Sequence, residues 1–292
     1  MDLLHLRYFQ TVARLEHMTK AAEVLHIAQP SLSKTISRLE KSLGVPLFDR
    51  QGKQIKLNRF GKAYLRRVER VFTELEEANR ELNDMAGLEN GVVHLGTTTT
   101  RLLPDLISAF LTQYPHVNIR LLQVPTKGIQ HHLANGEIDF CISSPPFDQP
   151  GVCCSPLLTE DIYLAVPVNH PFANRDQIDL RDVANDKFIS LTADYAFRDL
   201  TIEFCNQAGF TPNIAFECND AEVIFDMVKL GLGTAFIPAH WWKENDSNSP
   251  IKLKIREPVC QRVIGLNWLE TRYLSTAART FRTFATDYFA LQ

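Results

Sequence analysis

Three apolar periods follow one another along this chain. From Leu4 to Leu15, the residues Leu6, Phe9, Val12 and Ala13 fall on one side of a helix. The run from Thr19 to Glu40 then predicts two short helices joined by a tight turn. Thr19 is the expected N-cap of the first, where Ala21 and Ala22 allow close helix approach. In the second, Leu32, Ile36, Leu39 and Leu43 recur at spacings of four, three and four and define one face. Ser31, Lys34, Thr35 and Arg38 define another, with Ser33 beside them. Pro30 suits the first helical turn, and Gln29 sits at the helix start. Gly44-Val45-Pro46 breaks this helix, and Arg50–Leu57 reads as a short hairpin with Gly52 at its tip. Asn58 can cap a long helix running to about residue 86. Within it Leu65, Val68, Phe72, Leu75, Asn79, Leu82 and Ala86 alternate at three and four, a heptad seam that predicts a dimerising coiled coil. Asn79 either fixes register inside the seam or sits at a solvated end of it.

After Gly91 the period shortens. Val92–Leu95, Val117–Val124, Asp139–Ile142 and Lys187–Leu191 read as strands. Leu103–Tyr114, Gly128–Asn135, Asp199–Ala208 and Ala221–Leu230 read as helices. A strand at Val263–Trp268 leads to a last helix around Leu274–Phe289. Alternation of this kind implies βα units on a mostly parallel sheet, and about 200 residues in two stretches imply two α/β lobes.

Charge sharpens the division. The chain of 292 residues has a net charge of only −3, yet residues 1–59 hold ten Lys/Arg against five Asp/Glu, leaving −8 for the rest. A basic head on an acidic body suits a DNA reader joined to something else. The polar face of the second short helix offers hydroxyls and cations to base edges and phosphates. The candidate DNA-binding residues are therefore Thr19, Gln29, Pro30, Ser31, Ser33, Lys34, Thr35 and Arg38, with Arg50 and Lys53 on the hairpin wing. The same spacing also describes an ordinary amphipathic pair with a solvated face. Apolar content of 45% is ordinary for a globular protein. No apolar run approaches the roughly 20 residues of a membrane span, and the first ten residues do not resemble a secretory signal, so a cytoplasmic protein is expected. No cofactor, metal or catalytic motif is expected: the six cysteines form no C-x-x-C pair or zinc spacing, and G-x-S-x-G, H-E-x-x-H and P-loop patterns are absent.

The block A-A-E-V-L-H-I-A-Q-P-S-L-S-K-T-I-S-R-L-E followed by G-V-P-L-F-D-R resembles the LysR-type transcriptional regulators. G-E-I-D-F at Gly136–Phe140 and G-L-G-T-A-F-I-P at Gly231–Pro238 extend the likeness to the whole chain. The family usually carries Thr where Asn58 stands; Asn caps a helix equally well. The resemblance implies a winged helix-turn-helix over residues 1–59, a linker and dimerisation helix over 60–89, and a sensor over 90–292 built like a periplasmic binding protein. Its first lobe would hold about 92–161 and 268–292, its second about 162–267, with two crossover strands as the hinge. It further implies binding to promoter double-stranded DNA as a dimer of dimers, RNA polymerase as a further partner, and a small effector, most simply a carboxylate or other anion, in the inter-lobe cleft. The matching cleft positions are Thr98, Thr99, Thr100 and Arg101, in a turn leading into a helix where hydroxyls and N–H groups suit an anion. Thr126, Ser143, Ser144 and Thr192 follow, with Arg198 as a candidate carboxylate partner. A regulator without a small effector is the alternative, either constitutive or redox-responsive through Cys205 and Cys218.

Overall fold

A computed structural model describes residues 2–51, 54–85, 91–147, 149–242 and 249–291. The chain divides into two compact units, Met1–Leu82 and Asn83–Gln292.

In the first unit, α1 (Leu3–Leu15), α2 (Met18–Val24) and α3 (Gln29–Leu43) are followed by the hairpin β1 (Phe48–Gln51) and β2 (Gln54–Leu57) and by α4 (Arg59–Met85). Leu6, Phe9, Val12, Ala21, Ala22, Leu32, Ile36 and Leu39 form one core, as their spacing predicts. Carboxylates tie the wing to the helices: Glu40 Oε1 accepts the N–H of Leu47 (2.8 Å), and Glu16 Oε1 that of Leu57 (3.0 Å). Asn58 Oδ1 accepts the N–H groups of Phe60 and Gly61, each at 2.9 Å, so the cap on α4 forms as expected. A Cβ at Gly61 would lie 2.1 Å from the Leu47 carbonyl oxygen, so only glycine fits there.

Two expectations are corrected here. Thr19 does not cap α2: α1 ends at Glu16 in a left-handed conformation, the helix starts two residues sooner, and His17 Nδ1 accepts the N–H of Lys20 (3.3 Å). The heptad seam is not free over its whole length either. Val68 is buried and Leu65 and Phe72 pack onto the core of this unit, whereas Leu75 and Leu82 are exposed (41% and 64%). A seam residue used inside its own chain is not available to a partner.

The second unit begins with β3 (Val92–Thr97), α5 (Leu103–Gln113), β4 (Asn118–Gln123), α6 (Thr126–Ala134) and β5 (Phe140–Ser143). Then come β6 (Val152–Val166), β7 (Gln177–Ile178), β8 (Lys187–Leu191), α7 (Ala196–Gln207), β9 (Asn213–Cys218) and α8 (Ala221–Lys229). Last are β10 (Ala235–Pro238), β11 (Ile251–Ile255), β12 (Gln261–Leu269) and α9 (Thr276–Ala290). The main sheet runs β4-β3-β5-β12-β6-β11-β7, with β10 also on β6, while β8 and β9 form a separate parallel pair. Strands β3, β4 and β5 are parallel, as βα units require.

Periodicity does not foretell β7, β9, β10 or β11, nor the fifteen-residue strand β6, the longest of the strands it misses. Strand β6 pairs antiparallel with β12 from Leu269↔Val152 to Gln261↔Asp161, and beyond that with β10 and β11. One core gathers Leu95, Phe110, Phe140 and Phe281 with Leu157, Ile264 and Leu266. A second gathers Phe188, Phe204 and Phe236 with Ile162, Leu164 and Cys260. The two long strands thus pass from one lobe's core to the other's between Leu157 and Ile162 and between Cys260 and Ile264.

Candidate functional site

The polar face of α3 is built by the packing of its other side. With Leu32, Ile36 and Leu39 buried, Gln29, Pro30, Ser31, Lys34 and Arg38 are exposed and Ser33 and Thr35 half-exposed. Thr35 Oγ1 donates to the Ser31 carbonyl (3.0 Å), which fixes its rotamer. The first turn of α3 carries no acidic residue and no side-chain cap, so its N–H groups and positive dipole end suit a phosphate. Neither Lys34 nor Arg38 is paired with a carboxylate among the described residues. Thr19 is exposed in the first turn of α2. Lys53 and the side chain of Arg50 lie outside the described residues.

A cavity of about 250 Å³ lies between the two lobes of the second unit. Thr98, Thr99, Thr100, Thr126 and Ser144 line it, so five of the nine predicted cleft residues are brought together. Thr97, fully buried, shapes the turn: its Oγ1 accepts the Thr99 N–H (3.0 Å) and lies 2.7 Å from the Thr99 carbonyl oxygen. Thr126 Oγ1 accepts the N–H of Ala196 (3.1 Å), and the N–H of Lys127 donates to the Asp194 carbonyl (3.2 Å), bridging the lobes beside the cavity.

The other four do not line it. Arg101 donates to the Trp241 carbonyl (3.1 Å) and lies 4.5 Å from that ring's centroid. Ser143 is fully buried, donating to the Pro145 carbonyl and accepting from Asn267 Nδ2. Thr192 makes a turn, its N–H on the Cys218 carbonyl and its own carbonyl on the Tyr195 N–H. Arg198 is held in an ion pair with Glu217.

Sequence reasoning missed Arg262, which lines the cavity from β12 and is only 7% exposed. Its Nε donates to Glu160 Oε1 (2.7 Å), the residue directly opposite on β6. Glu160 Oε2 also lies 2.7 Å from His240 Nδ1 and accepts the His240 N–H. This cross-strand pair sits where β6 and β12 change lobes. Burial pushes the Glu160 carboxyl up, but the His240 hydrogen bond and the Arg262 charge outweigh it and hold the group below the usual range. Arg262 Nη2 and Ser144 Oγ are buried with no hydrogen-bond partner. No sequence period marks Arg262: charged Arg262 is buried with Ile264 while apolar Val263 is exposed with Gln261, so only the strand's placement turns this cation inward.

The cysteines of the redox alternative lie in different core clusters. Cys205 is buried and its thiol is pushed up to about 12; Cys260 beside it is also pushed up to about 12, by burial and then by Cys205. Cys218 packs against the other cluster.

An exposed, cation-bearing helix face on one unit and a cavity between the lobes of the other are the two features a ligand-linked transcriptional regulator needs. The family model for the bacterial regulatory helix-turn-helix protein of the lysR family matches residues 3–62, and that for the LysR substrate binding domain matches 86–290. The chain is 39% identical over 293 residues to the uncharacterized HTH-type transcriptional regulator YybE of Bacillus subtilis, covering 99% of this chain and 100% of that protein. It is similar to full-length OxyR C199D from Pseudomonas aeruginosa (TM-score 0.68, 26% identity, 100% of this chain and 95% of that one). It is also similar to the effector-binding domain of QuiR in complex with shikimate (TM-score 0.63, 25% identity, 70% and 99%). The chain belongs to the LysR family of transcriptional regulators and is not an enzyme. Among the described residues no helix is long and apolar enough to cross a membrane.

Proposed function

We propose that this regulator binds promoter DNA as a dimer of dimers and is switched by a small anion held between the lobes of its sensor. In this reading residues 1–59 read DNA, 60–89 join and dimerise, and 90–292 sense, the first lobe holding about 92–161 and 268–292. One observation carries the anion: two buried donors, Arg262 Nη2 and Ser144 Oγ, line one cavity without a partner. An unmade buried hydrogen bond costs about 1–3 kcal/mol, so an oxyanion satisfying both is favoured. The turn at Thr98–Thr100 adds hydroxyls from the first lobe, and QuiR, similar over the sensor, holds shikimate, a carboxylic acid. Because the Arg262–Glu160 pair sits on the two crossover strands, an anion on Arg262 acts where the lobes hinge and alters their angle.

The dimer rests on α4. Its first half carries Arg59, Lys62, Arg66, Arg67 and Arg70 against Glu69, and its second half Glu74, Glu76, Glu77, Glu81 and Asp84 against Arg80. A partner helix running antiparallel sets opposite charges together along the exposed residues Leu75 and Leu82. Thermal shift of the full-length protein against a panel of organic acids tests the anion. A ligand at one hundred times its Kd stabilises by about 2.7 kcal/mol, and Arg262→Lys should weaken that response. If no anion raises Tm, the reading fails.

A further inference from the structure

We infer that the cavity takes an amphipathic monocarboxylate: a carboxylate on Arg262 and Ser144, and an aromatic or branched apolar tail against the second lobe. The inference rests on the anion reading above and narrows it to a ligand class. The two lobes supply opposite chemistry. From the first come Thr98, Thr99, Thr100, Gln123, Thr126 and Ser144, all polar. The second supplies a largely apolar wall in which Phe188 and Phe236 stack with centroids 5.8 Å apart and planes within 19°. Both rings belong to the second lobe's core and still line the cavity, so part of its wall is core surface. A third ring joins the two chemistries: the Arg262 guanidinium carbon lies 5.1 Å from the centroid of Phe197, which also lines the cavity. A carboxylate on Nη2 thus sets the next carbons of its ligand beside an aromatic surface. Burying that tail removes apolar area from water.

Charge decides against a second carboxylate. Arg262 is the one cationic side chain lining the cavity among the described residues, and its charge already faces Glu160. Asp220 and Glu222, both exposed, line the same cavity. A dicarboxylate would find a single cation for two charges and two further carboxylates around it. The volume, about 250 Å³, lies below the range usual for drug-sized ligands and suits a small metabolite.

Isothermal titration of the full-length protein with four probes tests this: 3-phenylpropionate, its amide 3-phenylpropionamide, propionate and glutarate. The acid should bind at least tenfold more tightly than each of the other three. Phe197→Ala should bring 3-phenylpropionate down toward propionate without lowering Tm by more than a few degrees, and Arg262→Lys should weaken 3-phenylpropionate at least tenfold. Glutarate binding as tightly as 3-phenylpropionate, and weakened by Arg262→Lys, overturns the monocarboxylate class and leaves the anion reading standing. The amide binding as well as the acid overturns both, as does the absence of heat or thermal shift with every probe.

Discussion

The polar face of α3 and the inter-lobe cavity differ in how far apart in sequence their parts lie. All of the α3 face comes from ten consecutive residues, Gln29–Arg38, on one helix. The cavity draws its residues from Thr98 to Arg262, across both lobes. The helix face follows from a single local period, since burying Leu32, Ile36 and Leu39 forces Lys34 and Arg38 outward. The cavity has no period of its own; it exists only where β6 and β12 carry the chain between two cores. Local chemistry is therefore robust on α3 and dependent on tertiary support at the hinge.

The largest expected effect falls on that support. Glu160→Gln leaves a buried guanidinium without its counter-charge, and a loss of about 3–5 kcal/mol is expected in chemical denaturation of the second unit, with the first unit's transition unmoved. The pH dependence follows from the same residue. Its folded pKa is depressed, so its stabilisation is complete above the ordinary value of 4.5 and is lost as pH falls through the folded pKa. Acid should lower the wild-type Tm more steeply than that of Glu160→Gln over this window; parallel slopes would exclude Glu160 as the cause.

On the other side of the comparison, Arg38→Ala should cost roughly 1–3 kcal/mol of operator affinity if it reads a guanine, with Tm unchanged. Fluorescence anisotropy with operator DNA measures it, and full affinity in both Arg38→Ala and Lys34→Ala would place the reading face elsewhere. Leu75→Asp should weaken dimerisation tenfold or more, about 1.4 kcal/mol, while leaving the folded unit intact, because Leu75 is exposed. Leu65→Asp should instead unfold the first unit, since Leu65 packs on its core. Sedimentation and circular dichroism separate the two, and an intact Leu75→Asp dimer would remove the seam. The smallest effect is Asn58→Ala, a lost cap on α4 costing about 1 kcal/mol in thermal unfolding.

Much of the fold was legible. The helices of the first unit and the strand Lys187–Leu191 follow from spacing alone, because an amphipathic element records its own burial. The heptad seam misled for a related reason. Leu65, Val68 and Phe72 show the same spacing whether they face a partner or their own module, and only packing tells which. Thr19 was a fair cap by type, but the left-handed residue at Glu16 moved the helix start to bring His17 into that position. At the cleft, Thr98–Thr100 were legible as hydroxyls at a helix start. Arg198 and Arg101, cations of the right kind, were claimed by Glu217 and Trp241 instead.

By itself the sequence determined the two faces of α3, the helices of the first unit and the family, all of which depend on residues close together in the chain. Tertiary structure alone decided which cation lines the cavity and which half of the long helix remains exposed. Arg262 became the cavity's cation because its strand partner is Glu160, 102 residues away in sequence. The reason is physical: a helix face is set by a repeat of 3.6 residues, whereas a buried charge is set by what the fold places opposite it.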